Sequence, residues 1–191
     1  MRRRIGGGLK VVDVSDKFSL EQYRNNPHSG THVDSPAYLF PDGKKIEEFG
    51  LERFMTDAAL LDLTHKKPGQ PIDDEDLEAA EEAAGLALRE GESVILYTAP
   101  GMSLSNVYLS RNGAEYLEFK RVGMVGIDAG SIDNSRYAEM AAHRVLLGRG
   151  ILILEGLRNL DSIDSLRFRL ASYPLKLGAA TAPVRAVAIL E

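Results

Sequence analysis

The stretch HSGTHVDSP, residues 28–36, places His28, His32 and Asp34 within seven residues of a chain that has four histidines in all. Imidazole nitrogens and carboxylate oxygens are the usual ligands of divalent metals. In an extended chain His28, Gly30, His32, Asp34 and Pro36 project to one face, and Ser29, Thr31, Val33 and Ser35 to the other. At roughly 3.3 Å per residue a straight strand leaves His28 about 20 Å from Asp34, too far to share an ion. The chain must bend, and Gly30, lacking a Cβ, is where a bend costs least. His32 and Asp34, about 7 Å apart along the backbone, converge without one. The HxxxH spacing also suits one face of a helix, as in zinc peptidases, but those place Glu directly after the first His. Ser29, Gly30 and Thr31 argue against a helix. Each residue alone reads as part of a polar loop with an N-cap aspartate; the three together point to a metal site.

Composition narrows the chemistry. With no cysteine in 191 residues there are neither disulfides nor thiolate ligands, so a metal here is held by nitrogen and oxygen. The hydrophobic fraction of 44% and charged fraction of 27% are those of a globular protein, and the length suits a single domain over residues 1–191. A net charge of −5 speaks against a nucleic-acid partner, since phosphate contacts need excess Lys and Arg. The basic run Arg2, Arg3, Arg4 reads as a frayed terminus. No apolar run reaches a membrane span and MRRRIGGGLKVV lacks the apolar core of a secretory signal, so the expected location is cytoplasmic, with no membrane partner.

The elements that must position these residues alternate. LKVVDVS (9–15), AALLDL (58–63), SVILYT (93–98), VGMVGID (122–128), ILILE (151–155) and PVRAVAIL (183–190) read as strands. Asp73 can cap a helix through DEDLEAAEEAAGLALRE ending at Gly91, and Ser110 begins a second, RNGAEYLEFKR. A third covers SRYAEMAAHRVLL and ends at Gly148 and Gly150. Such βα alternation predicts an α/β fold with a central mixed sheet flanked by helices. The loops containing SPAYLFPDGKK and TAPGMSLSN are long enough to line a site.

The first motif resembles the signature HxGTHxDxPxH of the metal-dependent cyclase family, the kynurenine formamidase-like amidohydrolases. The chain supplies His28, Gly30, Thr31, His32, Asp34 and Pro36, with Tyr38 in the last place. The family's downstream His followed twelve residues later by Glu is matched by His143 and Glu155, and its GxDxxSxD segment by Gly126, Asp128, Ser131 and Asp133. PLKLGAATAPVRAVAIL is similar to the family's closing segment, so the resemblance runs in patches over most of the chain.

The resemblance implies a swivelling β/α/β domain assembled as a homodimer or homotetramer. It implies metal ligands at His28, His32, Asp34, His143 and Glu155, holding one or two divalent ions, zinc or manganese, with Asp34 as bridge. The residues themselves allow the second pair: His143 falls near the end of a helix and Glu155 at the end of an apolar strand, where an acid is seldom buried without a partner or metal. The plain alternatives are a helix position for His143 and, for Glu155, an ion pair with an arginine such as Arg158. His65, in LTHKK, reads as an exposed loop residue.

The implied chemistry is hydrolysis of an amide C–N bond in an N-formyl or cyclic amide substrate by a metal-activated water, with Tyr38 and Glu155 as catalytic residues. Tyr38 stands where the family has its proton-transferring histidine. A phenol of pKa near 10 does not accept a proton at neutral pH, though it can donate one. Three outcomes follow: Tyr38 as proton donor or oxyanion partner, a different substrate, or a metal-binding homologue with little turnover. As packing, Tyr38 would sit with Leu39 and Phe40. The short FSLEQYRNNP segment and YTAPGM, without the family's tryptophan, also depart from the pattern, so the substrate is not carried over.

Overall fold

The computed structural model describes residues 2–5, 9–16, 24, 26–99, 107–134 and 139–190. Its centre is four parallel strands: β4 (Met55–Asp62), β6 (Ser93–Tyr97), β8 (Met124–Ile127) and β9 (Leu152–Glu155). Antiparallel strands extend this block on both sides. On one side follow β10 (Arg167–Ala171), β12 (Val187–Leu190), β2 (Leu9–Asp13) and β1 (Arg2–Ile5); on the other, β3 (His32–Asp34) and then β11 (Thr181–Pro183). The result is a mixed sheet of ten strands among the described residues. Two short strands, β5 (Pro71–Ile72) and β7 (Tyr108–Leu109), pair separately.

The near-continuous apolar runs of the parallel strands are buried on both faces. Ala59, Leu61, Val94, Leu96, Val125, Ile127 and Ile153 face one core, while Ala58, Leu60, Ile95, Met124, Leu152 and Leu154 face a second. Three helices cover the first: α1 (Asp74–Ala84), α2 (Arg111–Phe119) and α3 (Ala141–Gly148), through Leu77, Ala114, Leu117, Ala142, Leu146 and Leu147. The second core is closed by the sheet's own curled wing, with Val12, Val14, Phe168, Leu170, Ala188 and Leu190 turned inward beside Ile46 and Phe54. No helix among the described residues is long and apolar enough to cross a membrane.

Several element boundaries differ from the sequence reading. The first helix stops at Ala84 and not at Gly91, because Gly85 takes the left-handed conformation (φ 62°) and turns its N–H back to the carbonyls of Glu81 and Glu82. α2 starts as expected, with Ser110 Oγ accepting the N–H of Gly113. The third helix begins only at Ala141, since Met140 is itself left-handed (φ 48°); residues 135–138 of the expected helix lie outside the described ones. The closing strand is two: after Pro183 the chain leaves β3 and resumes at Val187 between β10 and β2. Arg2–Ile5 is not frayed but pairs antiparallel with Leu9–Asp13. Of the loop TAPGMSLSN, residues 100–106 lie outside the described ones.

Candidate metal centre

Strand register builds the site. β3 lies between β9 and β11, with His32 opposite Glu155 and Pro183, and Asp34 opposite Ile153 and Thr181. Directly paired residues share a face, so His32, Asp34, Glu155 and Thr181 all point to the helix-covered side, while Val33 and Leu154 join the opposite core. Glu155 is the last residue of β9, which puts the cluster at the carboxyl ends of the parallel strands, the usual place for a ligand in an open α/β sheet. From above, α3 brings down His143. The sequence reading put His143 near the end of its helix; with the helix starting at Ala141 it stands in the first turn.

The predicted bend is present. Gly30 has φ 70°, which folds His28 back over β3. The turn is locked by a close backbone approach: Thr31 Oγ1 donates to the Gly156 carbonyl at 2.7 Å, and Gly156, also left-handed at φ 70°, leaves no room for a side chain against Gly30 O.

All five expected donors converge. His28 Nδ1 lies 3.2 Å from His32 Nε2 and 3.3 Å from Asp34 Oδ1. His32 Nε2 is 3.2 Å from Glu155 Oε2. His143 Nε2 is 3.6 Å from Asp34 Oδ2 and 3.4 Å from Glu155 Oε1. One ligand atom each from His28, His32, Asp34 and Glu155 lie within 4.8 Å of one another. Ligands about 2.1 Å from a tetrahedral ion stand about 3.4 Å apart, which the observed donor separations bracket. Asp34 Oδ2 is the buried side-chain atom without a hydrogen-bond partner among the described residues. A fully buried, unpartnered carboxylate oxygen is costly unless a cation meets it, so the donor set fits a divalent metal. Among the described residues Glu155 pairs with no arginine: Arg158 instead donates to the carbonyls of Asp128 and Leu157 and pairs with Asp16 at 3.2 Å.

Behind the donors stands a second set of contacts, in which the sequence reading assigned no roles. His32 Nδ1 is 2.9 Å from the Gly30 carbonyl, and Glu155 Oε1 accepts the Ile132 N–H at 2.7 Å. Asp34 Oδ1 accepts from Thr181 Oγ1 at 2.5 Å, and His143 Nδ1 is 2.6 Å from Asp133 Oδ2. Asp128 accepts from the Thr98 N–H, the Thr98 hydroxyl and the Ala99 N–H, and so pins the chain just after β6. The motif match at Asp128 and Asp133 is the signal the sequence offers for these contacts; Thr181 carries none.

The charges are strongly coupled. Burial opposes ionisation of both His143 and Asp34, yet Asp133, Asp34 and Glu155 push the His143 imidazolium up to about 10, and the imidazoles hold Asp34 well below the usual carboxylate range. His32, despite burial, is raised by Glu155 and Asp34. Burial and then the charges of Asp34, Glu155 and Asp133 raise the Tyr38 phenol above its ordinary value. Its ring lies 4.5 Å from that of His28 and 5.6 Å from that of His143, and also packs on the helix-side core with Leu39 and Phe40. His65 is exposed, as expected.

Known proteins are similar to this chain in sequence and in fold. A kynurenine formamidase from Salinibacter ruber is 31% identical over 176 residues, 88% of this chain and 79% of that one. Another, from a Bacillus cereus strain, is 31% identical over 166 residues, 84% and 75% respectively. The solved structure of a potential metal-dependent hydrolase with cyclase activity superposes with a TM-score of 0.77 at 27% identity, over 95% of this chain and 98% of that one. Isatin hydrolase A from Labrenzia aggregata shares the fold at a TM-score of 0.81 and 19% identity, over 95% and 94%. With residues 8–134 matching the family described as putative cyclase, and with relatives of this similarity along most of its length, the chain belongs to the cyclase family.

Proposed function

We propose that the protein is a metal-dependent hydrolase that cleaves the C–N bond of an N-formyl or cyclic amide, with zinc or manganese, one or two ions, held by His28, His32, Asp34, His143 and Glu155. The observation that carries this reading is the convergence of His28, His32, His143 and Glu155, buried or half-buried, around Asp34, whose Oδ2 has no hydrogen-bond partner among the described residues. Asp34 faces His28 through Oδ1 and His143 through Oδ2, so were two ions held, it is the residue that could serve both. Relatives that act as kynurenine formamidases support the N-formyl class.

When bound, a divalent cation supplies Lewis acidity, polarising a carbonyl and bringing the pKa of water from about 15.7 to about 7. The chain's own residues do the rest. Water adds to the carbonyl carbon, the C–N bond breaks, and the leaving nitrogen takes a proton. Tyr38, raised above its ordinary value, keeps its proton on Oη at neutral pH and so serves as donor or oxyanion partner, not as base. Glu155 is the carboxylate at the centre suited to receive the proton that water gives up. The reading includes a small-molecule substrate and assembly as a homodimer or homotetramer.

A panel of N-formyl arylamines and cyclic amides, with added Zn²⁺ or Mn²⁺, tests the proposal. Wild type should turn over at least one of them, chelator or His32→Ala should abolish it, and Tyr38→Phe should lower kcat about 100-fold or more. Stoichiometric metal without turnover on any member would favour a catalytically silent metal-binding homologue, the reading to which tyrosine in the histidine slot points.

A further inference from the structure

Of the four tethers behind the donors, only one uses a carboxylate on an imidazole. Asp133 Oδ2 lies 2.6 Å from His143 Nδ1 and accepts the His143 backbone N–H at 3.0 Å, while Oδ1 accepts the Ala142 N–H at 2.9 Å. The Asp133 side chain is 11% exposed and that of His143 is 2%, so the contact is made largely out of water. A carboxylate facing Nδ1 holds a ring proton on that nitrogen, so the proton given up when a cation binds is the one on Nε2. Nε2 is the atom directed at Asp34 Oδ2 and Glu155 Oε1.

The geometry points to Asp133 as the positioning residue of the metal centre: it fixes His143 in the Nδ1–H form that presents Nε2 to the cation, and with the same carboxylate anchors that imidazole to the first turn of α3. The inference rests on the metal-centre reading above. The competing role is a helix cap alone, which would contribute to folding and leave cation binding untouched. The substitution Asp133→Asn keeps the side chain's shape but leaves one acceptor oxygen for the three N–H groups now served by two, and an amide N–H₂ set against Nδ1 favours the tautomer that cannot ligate. Outer partners of metal-bound histidines are worth about 10–100-fold in metal affinity.

The experiment is calorimetric titration of Mn²⁺ into chelator-stripped full-length protein, comparing wild type, Asp133→Asn, His143→Ala and the double variant, with thermal melts alongside. Asp133→Ser, which retains a cap acceptor, serves if Asp133→Asn does not fold. Expected is a loss of about 10–100-fold in Mn²⁺ affinity for Asp133→Asn, with less than about twofold further loss when the same change is made in the His143→Ala background. In Co²⁺-loaded protein Asp133→Asn should also alter the visible absorption band. A lowered melting temperature with Mn²⁺ affinity within about twofold of wild type would reduce Asp133 to a cap and overturn the inference. Equal losses in both backgrounds would overturn it too, because Asp133 would then not act through His143. A wild type that binds no Mn²⁺ would instead remove the metal-centre reading beneath it.

Discussion

Replacing Gly156 by alanine tests whether the bend at Gly30 is held in place by the residue that follows the β9 ligand. A Cβ on Gly156 would stand 2.6 Å from Gly30 O and 3.1 Å from Gly30 C, backbone atoms that cannot rotate away. The left-handed backbone at φ 70° costs an alanine about 1–2 kcal/mol, and forcing two backbones apart costs about 1–3 kcal/mol more. The sum, about 2–5 kcal/mol, corresponds to a fall in Tm of about 4–20 °C for a chain of this size. Gly150→Ala is the control. Its φ is 74°, with nothing within 4 Å of the added carbon, so only the conformational cost of about 1–2 kcal/mol applies. Urea denaturation of the metal-free proteins gives both values, and titration with Mn²⁺ should show weakened binding for Gly156→Ala alone, because Gly30 links His28 to His32. If Gly156→Ala were no less stable than Gly150→Ala, or bound Mn²⁺ as wild type does, the backbone lock would be refuted.

Binding of Zn²⁺ or Mn²⁺ to the folded chain at a hundredfold excess over Kd should raise unfolding free energy by about 2.7 kcal/mol, reversed by chelator; differential scanning calorimetry showing a cation-independent Tm would contradict the centre. Asp76 Oδ2 accepts the Asp73 N–H at 2.9 Å at the start of α1 and also bonds Lys66 at 2.7 Å, so Asp76→Ala should cost about 1 kcal/mol in urea denaturation. Burial pushes the Asp76 carboxyl up, but Lys66 and the Asp73 N–H outweigh it and leave the group below its ordinary value. A depressed folded value means stability present above the unfolded pKa of about 3.9 and lost as pH falls through the folded one. The difference between wild type and Asp76→Ala should therefore shrink on acidification below about pH 4, and a constant difference down to about pH 2 would refute the assignment.

What could be read from the sequence was local. His28, His32 and Asp34 are neighbours, and Gly30 between them announces the turn that brings His28 back. His143 and Glu155 came from a spacing shared with a family; the contact between His32 and Glu155 is a property of strand register, which neither segment carries alone. The late start of α3 was hidden because SRYAEMAAHRVLL is uniformly compatible with a helix, and the left-handed Met140 has no residue-type signal. Arg2, Arg3 and Arg4 read as a frayed terminus, although GGG separates RRRI from LKVV, a turn composition between two segments that pair. Thr181 was invisible for another reason: a hydroxyl inside an apolar segment gains its meaning only from the Asp34 opposite it.

The position of β3 has a consequence for the order in which the molecule is made. Both of its sheet neighbours belong to the last quarter of the chain; Thr31 waits for Gly156, 125 residues on, and Asp34 for Thr181, 147 residues on. Contacts of such long range carry the largest loop-closure cost and form late. A nascent polypeptide therefore carries its two early imidazoles and their aspartate without their β9 and β11 partners until synthesis has passed β11. A truncation that removes β11 would yield a sheet with an open edge at the strand that carries His32 and Asp34.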